Sequence, residues 1–490
     1  MTRCSRFLLA TFVALGTVAI RAQDHADPAM LTRIRAEAME RSKVLDTFNQ
    51  LANVIGPRLT NSPAHKRAVA WTQDTLKAWG LVNVHPEPFE FGRGWTLERF
   101  SVEMIEPRYM PLIGYPRAWS PSTSGVITAT PVFLPNPSAD VLAAKASALR
   151  GGIVMTSAAQ EYFIRADRPP ASGDLKSERP RSRPAMPADD LQAALKKAGA
   201  GVTLEPNIGE HNTIFVSGRD AGENAVPAVV LASEHYNLIA RLLQQGVAVK
   251  LAVNVQTRFD ESDRNTQNVI AEIRGVDPAV GSEVVMAGAH LDSWHSATGA
   301  TDNADGAATV MEALRILQTL GVRPRRTIRI ALWAGEEQGL LGSRAWVERH
   351  LTGDANAAAR EKFSVYFNFD NGFPPISGFY LEGNQAGKAL IDAWLKPLAD
   401  LGVTGNPLGG IGATDHLSFT RAGLPGFQAV QSYLNYDVRT HHTNMDTAER
   451  IDPAALKQAA TVMAAVLYQA SMREGTFPKP APPKPAGTKQ

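Results

Sequence analysis

Apolar positions change their spacing several times along the chain, and each change predicts a different kind of element. Residues 7–20 are apolar almost throughout and follow Arg3 and Arg6. Over 28–80 the spacing is helical. Leu31, Ile34, Ala38, Met39 and Val44 share one face, and 70–76 repeats the pattern. The turn cluster Gly56-Pro57-Arg58-Leu59-Thr60-Asn61-Ser62-Pro63 separates the two helical stretches. From Val82 the pattern shortens to strands.

Residues 119–258 differ from both flanks. Gly151 and Gly152 open the apolar run Ile153-Val154-Met155, and a loop rich in Pro, Arg and Ser follows over 165–185. An apolar run at 225–231, a helix over 234–245 and a strand over 247–255 complete the segment, which reads as a separate inserted domain. From 261 to 472 strands alternate with helices, the strands falling at 284–287, 327–333 and 364–368. That alternation predicts an α/β fold with a mixed, mostly parallel sheet and helices on both faces. An amphipathic helix over 453–472 closes it, and the Pro/Lys-rich stretch from Phe477 reads as a disordered tail. The chain thus divides into 1–22, 23–118, 119–258, 259–475 and 476–490.

Composition narrows the function. Of 490 residues, 44% are apolar and 20% charged, the balance of a folded soluble protein. Lys and Arg number 50 against 48 Asp and Glu, so no nucleic-acid partner is implied. The one short basic run, 323–326, reads as a solvated turn. At the N-terminus the charged start, the apolar stretch and the small residue Ala22 read as a secretory signal cleaved after Ala22. A membrane-spanning helix needs about 20 apolar residues, so the mature protein is expected to be secreted or periplasmic, without stable membrane insertion. The only cysteine, Cys4, lies inside the signal, which leaves the mature chain no thiol and no disulfide.

The candidate chemistry lies in loops just beyond the predicted strands, where open α/β sheets place their sites. His290 and Asp292 follow the first strand. An imidazole is a good zinc ligand and Asp292 could accept its second N–H, though the pair is also ordinary loop chemistry. Asp302 precedes a helix over 307–320 and suits an N-cap as well as a metal-bridging ligand. Glu336 and Glu337 follow the next strand. Neighbours in extended backbone point opposite ways, so one could hold a metal and the other address a bound water. Asp370 follows the third strand, and His441-His442 lies in the loop before the last helix. Singly, each has an ordinary turn reading. Together they offer two ions about 3.5–4 Å apart a shared carboxylate and a nearby proton acceptor.

In order and spacing, His290-x-Asp292, Asp302, Glu336-Glu337, Asp370 and His442-Thr443-x-x-Asp446-Thr447 resemble the co-catalytic zinc peptidases of the aminopeptidase Y and plasma glutamate carboxypeptidase group. Gly56-Pro57-Arg58 belongs to the same resemblance, and the insert looks like a β-rich protease-associated domain. The resemblance implies two zinc ions per chain, one on His290 and Asp370, the other on Glu337 and His442, with Asp302 bridging. Glu336 would be general base and then acid, Asp292 would orient His290, and His441 would line the pocket. His416 would be structural, and His295 and His350 surface residues. Substrates would be short peptides. The insert would either cover the cleft or mediate a homodimer. Which peptide end is trimmed stays open, with Arg439 the sequence's candidate for a carboxylate. Two alternatives are an inactive binding module on this fold and a single-zinc transferase like glutaminyl cyclase.

Overall fold

The computed structural model describes residues 26–169 and 184–480. The expected signal, most of the 165–185 loop and the end of the tail lie outside the described residues. A seven-stranded sheet forms the centre, built from Val82–Glu90 (β1), Asn265–Ile273 (β2), Val284–His290 (β3), Thr327–Trp333 (β4), Phe363–Asn368 (β5), Phe373–Tyr380 (β6) and Gly426–Ser432 (β7). Their order across the sheet is β1-β2-β4-β3-β5-β7-β6. The four central strands β4, β3, β5 and β7 run parallel. Both edges are antiparallel. The sheet is mixed and mostly parallel at its core, as the alternation predicts.

The parallel strands are near-continuous apolar runs because helices cover both faces. On one face lie the Asp305–Thr319 and Pro453–Met472 helices, which share the largest core with Val285, Ile330 and Phe367. On the other, Leu341–Leu351 and His416–Arg421 bring Trp346 and Phe419 against Met286, Trp333 and Tyr366. The Tyr366 and Phe419 rings stack 4.1 Å apart. All four parallel strands point their carboxyl ends to one edge. That edge is where the candidate ligands sit.

Residues 94–260 add two smaller sheets. Gly94–Glu106 and Lys250–Asp260 pair antiparallel along their whole length. A five-stranded sheet of Gly114–Pro116, Ala228–Leu231, Val202–Pro206, Ile153–Met155 and Val132–Phe133 stands beside them, parallel except at its first pair.

Three sequence readings change. The last helix is not amphipathic. It is buried without a break from Gln458 to Ser471, because the Pro28–Glu40 helix covers its outer side and Asp27 and Met39 bond to it. Arg326 is not solvated: it is fully buried, paired with Glu283 at 2.6 Å and bonded to the Arg473 carbonyl. Phe477 is not tail. Its ring packs on Phe427 and Trp394, and its N–H donates to Ser364 Oγ at 3.0 Å. Among the described residues no helix is long and apolar enough to cross a membrane. Replacing Phe477 with alanine is expected to cost about 3–5 kcal/mol, read as a lower midpoint in denaturant unfolding.

Candidate metal centre

The carboxyl edge of the sheet delivers one side chain after another into a small space. His290 is the last residue of β3, and its ring is fully buried. Its Nδ1 lies 2.9 Å from the Asp292 carbonyl oxygen, which fixes that nitrogen as the donor and turns Nε2 inward. Nε2 then faces Asp302 Oδ1 at 3.0 Å and Asp370 Oδ1 at 3.5 Å. Asp370 stands two residues past the end of β5.

The second set comes from the other side of Asp302. His442 Nε2 lies 3.4 Å from Asp302 Oδ2 and 2.8 Å from Glu337 Oε2. Each oxygen of one carboxylate therefore addresses a different imidazole. Among the described residues, His290, Asp302 and Asp370 form one group with metal-ligand spacing; Asp302, His441 and His442 form another. His441 stacks on Tyr436, and its Nδ1 is 3.8 Å from Asp437. Burial and the neighbouring His442 push its pKa down to about 3, so it stays neutral.

Asp302 keeps both oxygens for this because it is not a cap. The Asp305–Thr319 helix has no side-chain cap from its N-cap residue, and Asn303 Oδ1 accepts the Gly306 N–H at 3.0 Å instead. Asp446 secures the Asp302 backbone, taking the Thr301 N–H at 2.6 Å and the Asp302 N–H at 3.2 Å. Asp292 is a correction in detail. Its backbone carbonyl, not its carboxylate, meets His290; the carboxylate Oδ1 is 3.7 Å away. The carboxylate instead accepts the Glu336 and Glu337 N–H groups at 3.3 and 3.4 Å and sits 2.8 Å from Thr60 Oγ1. It shapes the turn that carries the acidic pair.

Glu336 lies outside both ligand groups and lines a cavity of about 440 Å³ together with Asp302, Glu337 and Asp370. Burial, then the charges of Asp370, Asp415 and Glu337, raise its pKa well above the ordinary carboxylate range, although His290 opposes this. Burial and Asp302 push Glu337 up to about 7. His442 moves the other way: burial disfavours its charge, but Glu337 and Asp302 prevail and raise it to about 9.

The family model described as peptidase family M28 matches residues 268–467, a span that holds every candidate ligand. Carboxypeptidase Q of Bos taurus is 27% identical over 433 residues, covering 88% of this chain and 85% of that protein. The solved peptidase M28 precursor from Shewanella amazonensis superposes with a TM-score of 0.70 at 27% identity, covering 93% of this chain and 99% of the other. The stretch that carries the centre, residues 268–467, matches peptidase family M28. A zinc aminopeptidase from Bacillus subtilis shares the fold at a TM-score of 0.58 and 19% identity, over 89% of this chain and 98% of that one.

The structure also shows what the sequence did not. Arg58 is fully buried beneath the His290 loop, and its guanidinium donates to the carbonyls of Leu291, Leu51, Gly56, Thr298 and Gly299 at 2.9–3.1 Å. Burial lowers its pKa to about 10, while Asp446, Asp292 and Asp302 oppose the loss of charge. The Gly-Pro-Arg turn was the visible signal; its five carbonyl partners were not. Asp415, fully buried and pushed up by burial to about 7, is a second such group. His416 bonds Glu382 and Thr414, as a structural histidine should. His295 is not a surface residue: it is half-buried edge-on against Trp95 and bonds the Pro116 carbonyl. Arg439 does not reach the cavity. It is held by the Glu210 carbonyl, Thr213 and His211. Arg58→Met is expected to destabilise the fold by about 3–5 kcal/mol, the range for taking one member from a buried charged network, measured by denaturant unfolding alongside metal content.

Proposed function

We propose that the protein is an exported, zinc-dependent exopeptidase that hydrolyses short peptides with two ions per chain. One observation carries the two-ion reading: Asp302 turns one oxygen to His290 and the other to His442. The residues present fit zinc. His290 Nε2 and both Glu337 carboxylate oxygens are buried without a hydrogen-bond partner, and imidazole with carboxylate is a donor set zinc accepts. His290, Asp302 and Asp370 would hold one ion; Asp302, Glu337 and His442 would hold the other. Zinc, when bound, supplies Lewis acidity and lowers the pKa of water.

The chain's own part is proton management and placement. Glu336 takes a proton from the attacking water as its oxygen adds to the scissile carbonyl carbon. It then gives that proton to the departing nitrogen as the C–N bond breaks. Asp292 is a positioning residue: by holding the Glu336 and Glu337 N–H groups it sets the angle between base and ligand. Export rests on the charged start and the apolar stretch 7–20. The complete ligand set speaks against an inactive binding module, and the second set speaks against a single-zinc transferase.

In Glu336→Gln, hydrolysis of a dipeptide series should fall about 10²–10⁴-fold while metal analysis still finds two zinc per chain. Unchanged turnover would remove Glu336 from this role. His442→Ala should reduce bound zinc from two to one, and retention of both ions would overturn the second set.

A further inference from the structure

The reading above leaves open which end of the peptide the pocket holds, and the cavity beside Glu336 bears on it. Its floor is acidic, and besides His441 and His442 its other ionisable lining residues are Arg168, Arg344 and Arg421. They are not equivalent. Arg168 is buried and spent on Asp437, which it meets through Nε and Nη2 at 2.5–3.0 Å. Its Nη1 turns to Asn371 Oδ1 at 3.4 Å. Arg344 and Arg421 are exposed and have no acidic partner among the described residues. Arg344 Nη2 donates to the Gly339 carbonyl at 2.8 Å, which anchors the side chain at the rim and leaves donors free.

Helix packing keeps the two arginines together. Ser343 and Ser418 touch through their hydroxyls at 2.8 Å, and the Trp346 and Phe419 rings lie 6.0 Å apart along the same seam. Arg344 is next to Ser343, and Arg421 is three residues, one helical turn, past Ser418. The opposite mouth of the site differs. A cleft of about 590 Å³ there also reaches Glu337 and Trp294, but its other carboxylates are taken. Glu205 pairs with Arg117 at 2.5 Å, and Asp189 pairs with Arg219. Beyond the metal centre, these two mouths offer free guanidinium and no free carboxylate. A peptide's amine finds no unpaired carboxylate there; its carboxylate finds two unpaired guanidiniums.

We infer that Arg344 and Arg421 form the subsite for the free C-terminal carboxylate of a short peptide, so that the substrate is held by its carboxyl end with Glu336 at the scissile bond. This rests on the peptidase reading.

The test compares alanyl-leucine with its C-terminal amide on the full-length zinc-loaded protein and on Arg344→Met/Arg421→Met. Charge-assisted hydrogen bonds of this kind predict that amidation lowers wild-type kcat/KM about 10–100-fold, chiefly through KM. In the double variant the ratio of acid to amide should collapse toward one, with two zinc per chain confirming an intact centre. Equal wild-type rates on acid and amide would overturn the subsite, as would an undiminished ratio in the variant. Wild-type protein that cleaves neither compound, nor any other short peptide, would instead overturn the peptidase reading and the subsite with it.

Discussion

The structure is organised by an excess of buried negative charge at the carboxyl edge of one sheet. Asp292, Asp302, Asp305, Glu336, Glu337, Asp370, Asp415 and Asp446 all lie there, nearly all of them fully buried. Two like charges 4 Å apart repel by about 4 kcal/mol at an effective dielectric constant of 20. A domain's whole stability is about 5–15 kcal/mol. Such a cluster cannot stay ionised unless cations are placed among it. The pKa pattern shows the conflict. Burial drives Asp305 and Glu336 well up and Glu337, Asp415 and Asp446 to about 7. Asp292 and Asp302 go down despite burial, because His290 stands beside each. The chain's own cations here are Arg58, His290 and His442, and they do not balance the acids. A site that is acid-rich, buried and short of positive charge is one built to take metal.

The remaining elements hold this unfavourable cluster in place. Arg58 ties the N-terminal turn to the loops after β3 through five carbonyls. A loop of the inserted segment, residues 214–216, grips the far loop. Val216 donates to the His442 carbonyl at 2.8 Å, Phe215 bridges to Thr443, and Asn444 exchanges bonds with Ile214. On the other side Asp167 accepts the Asn435 and Val438 N–H groups, and Arg168 locks Asp437. His442 itself has a left-handed backbone, φ 60°, which costs a non-glycine residue energy and persists where its surroundings dictate it. Residues more than 200 positions upstream thus hold the last ligand. They act as part of the centre's frame.

What could be read from the sequence follows from range. The parallel strands announced themselves as apolar runs, and a side chain at a strand's last residue or within four residues past it inherits its position from the strand. His290, Glu336, Glu337 and Asp370 were legible for that reason. The loop of His442 has no such ruler; motif spacing pointed to it, and contacts with residues 214–216 of the inserted segment fix it. Arg58 looked like turn punctuation because its partners lie up to 241 positions away. Arg439 looked promising because it is near His442 in sequence, whereas Arg344 and Arg421 share a cavity only through helix packing. The final helix read as amphipathic because its pattern was weighed without the helix that covers it.

Asp302 shows why the local reading of a residue can be sound and still lose. A carboxylate just before a helix is a good cap, and capping is worth about 1 kcal/mol. Had Asp302 capped, one oxygen would have been committed to a backbone N–H and turned away from one imidazole. Here Asn303 takes the Gly306 N–H, and Asp446 takes the N–H groups of Thr301 and Asp302. The capping duty is shifted by one residue and the anchoring duty to another loop. Both oxygens of Asp302 stay free, 3.0 Å from one histidine and 3.4 Å from the other. Freeing them requires two supporting side chains, one of them a second buried acid. That outlay has no structural return unless the carboxylate joins two positive centres.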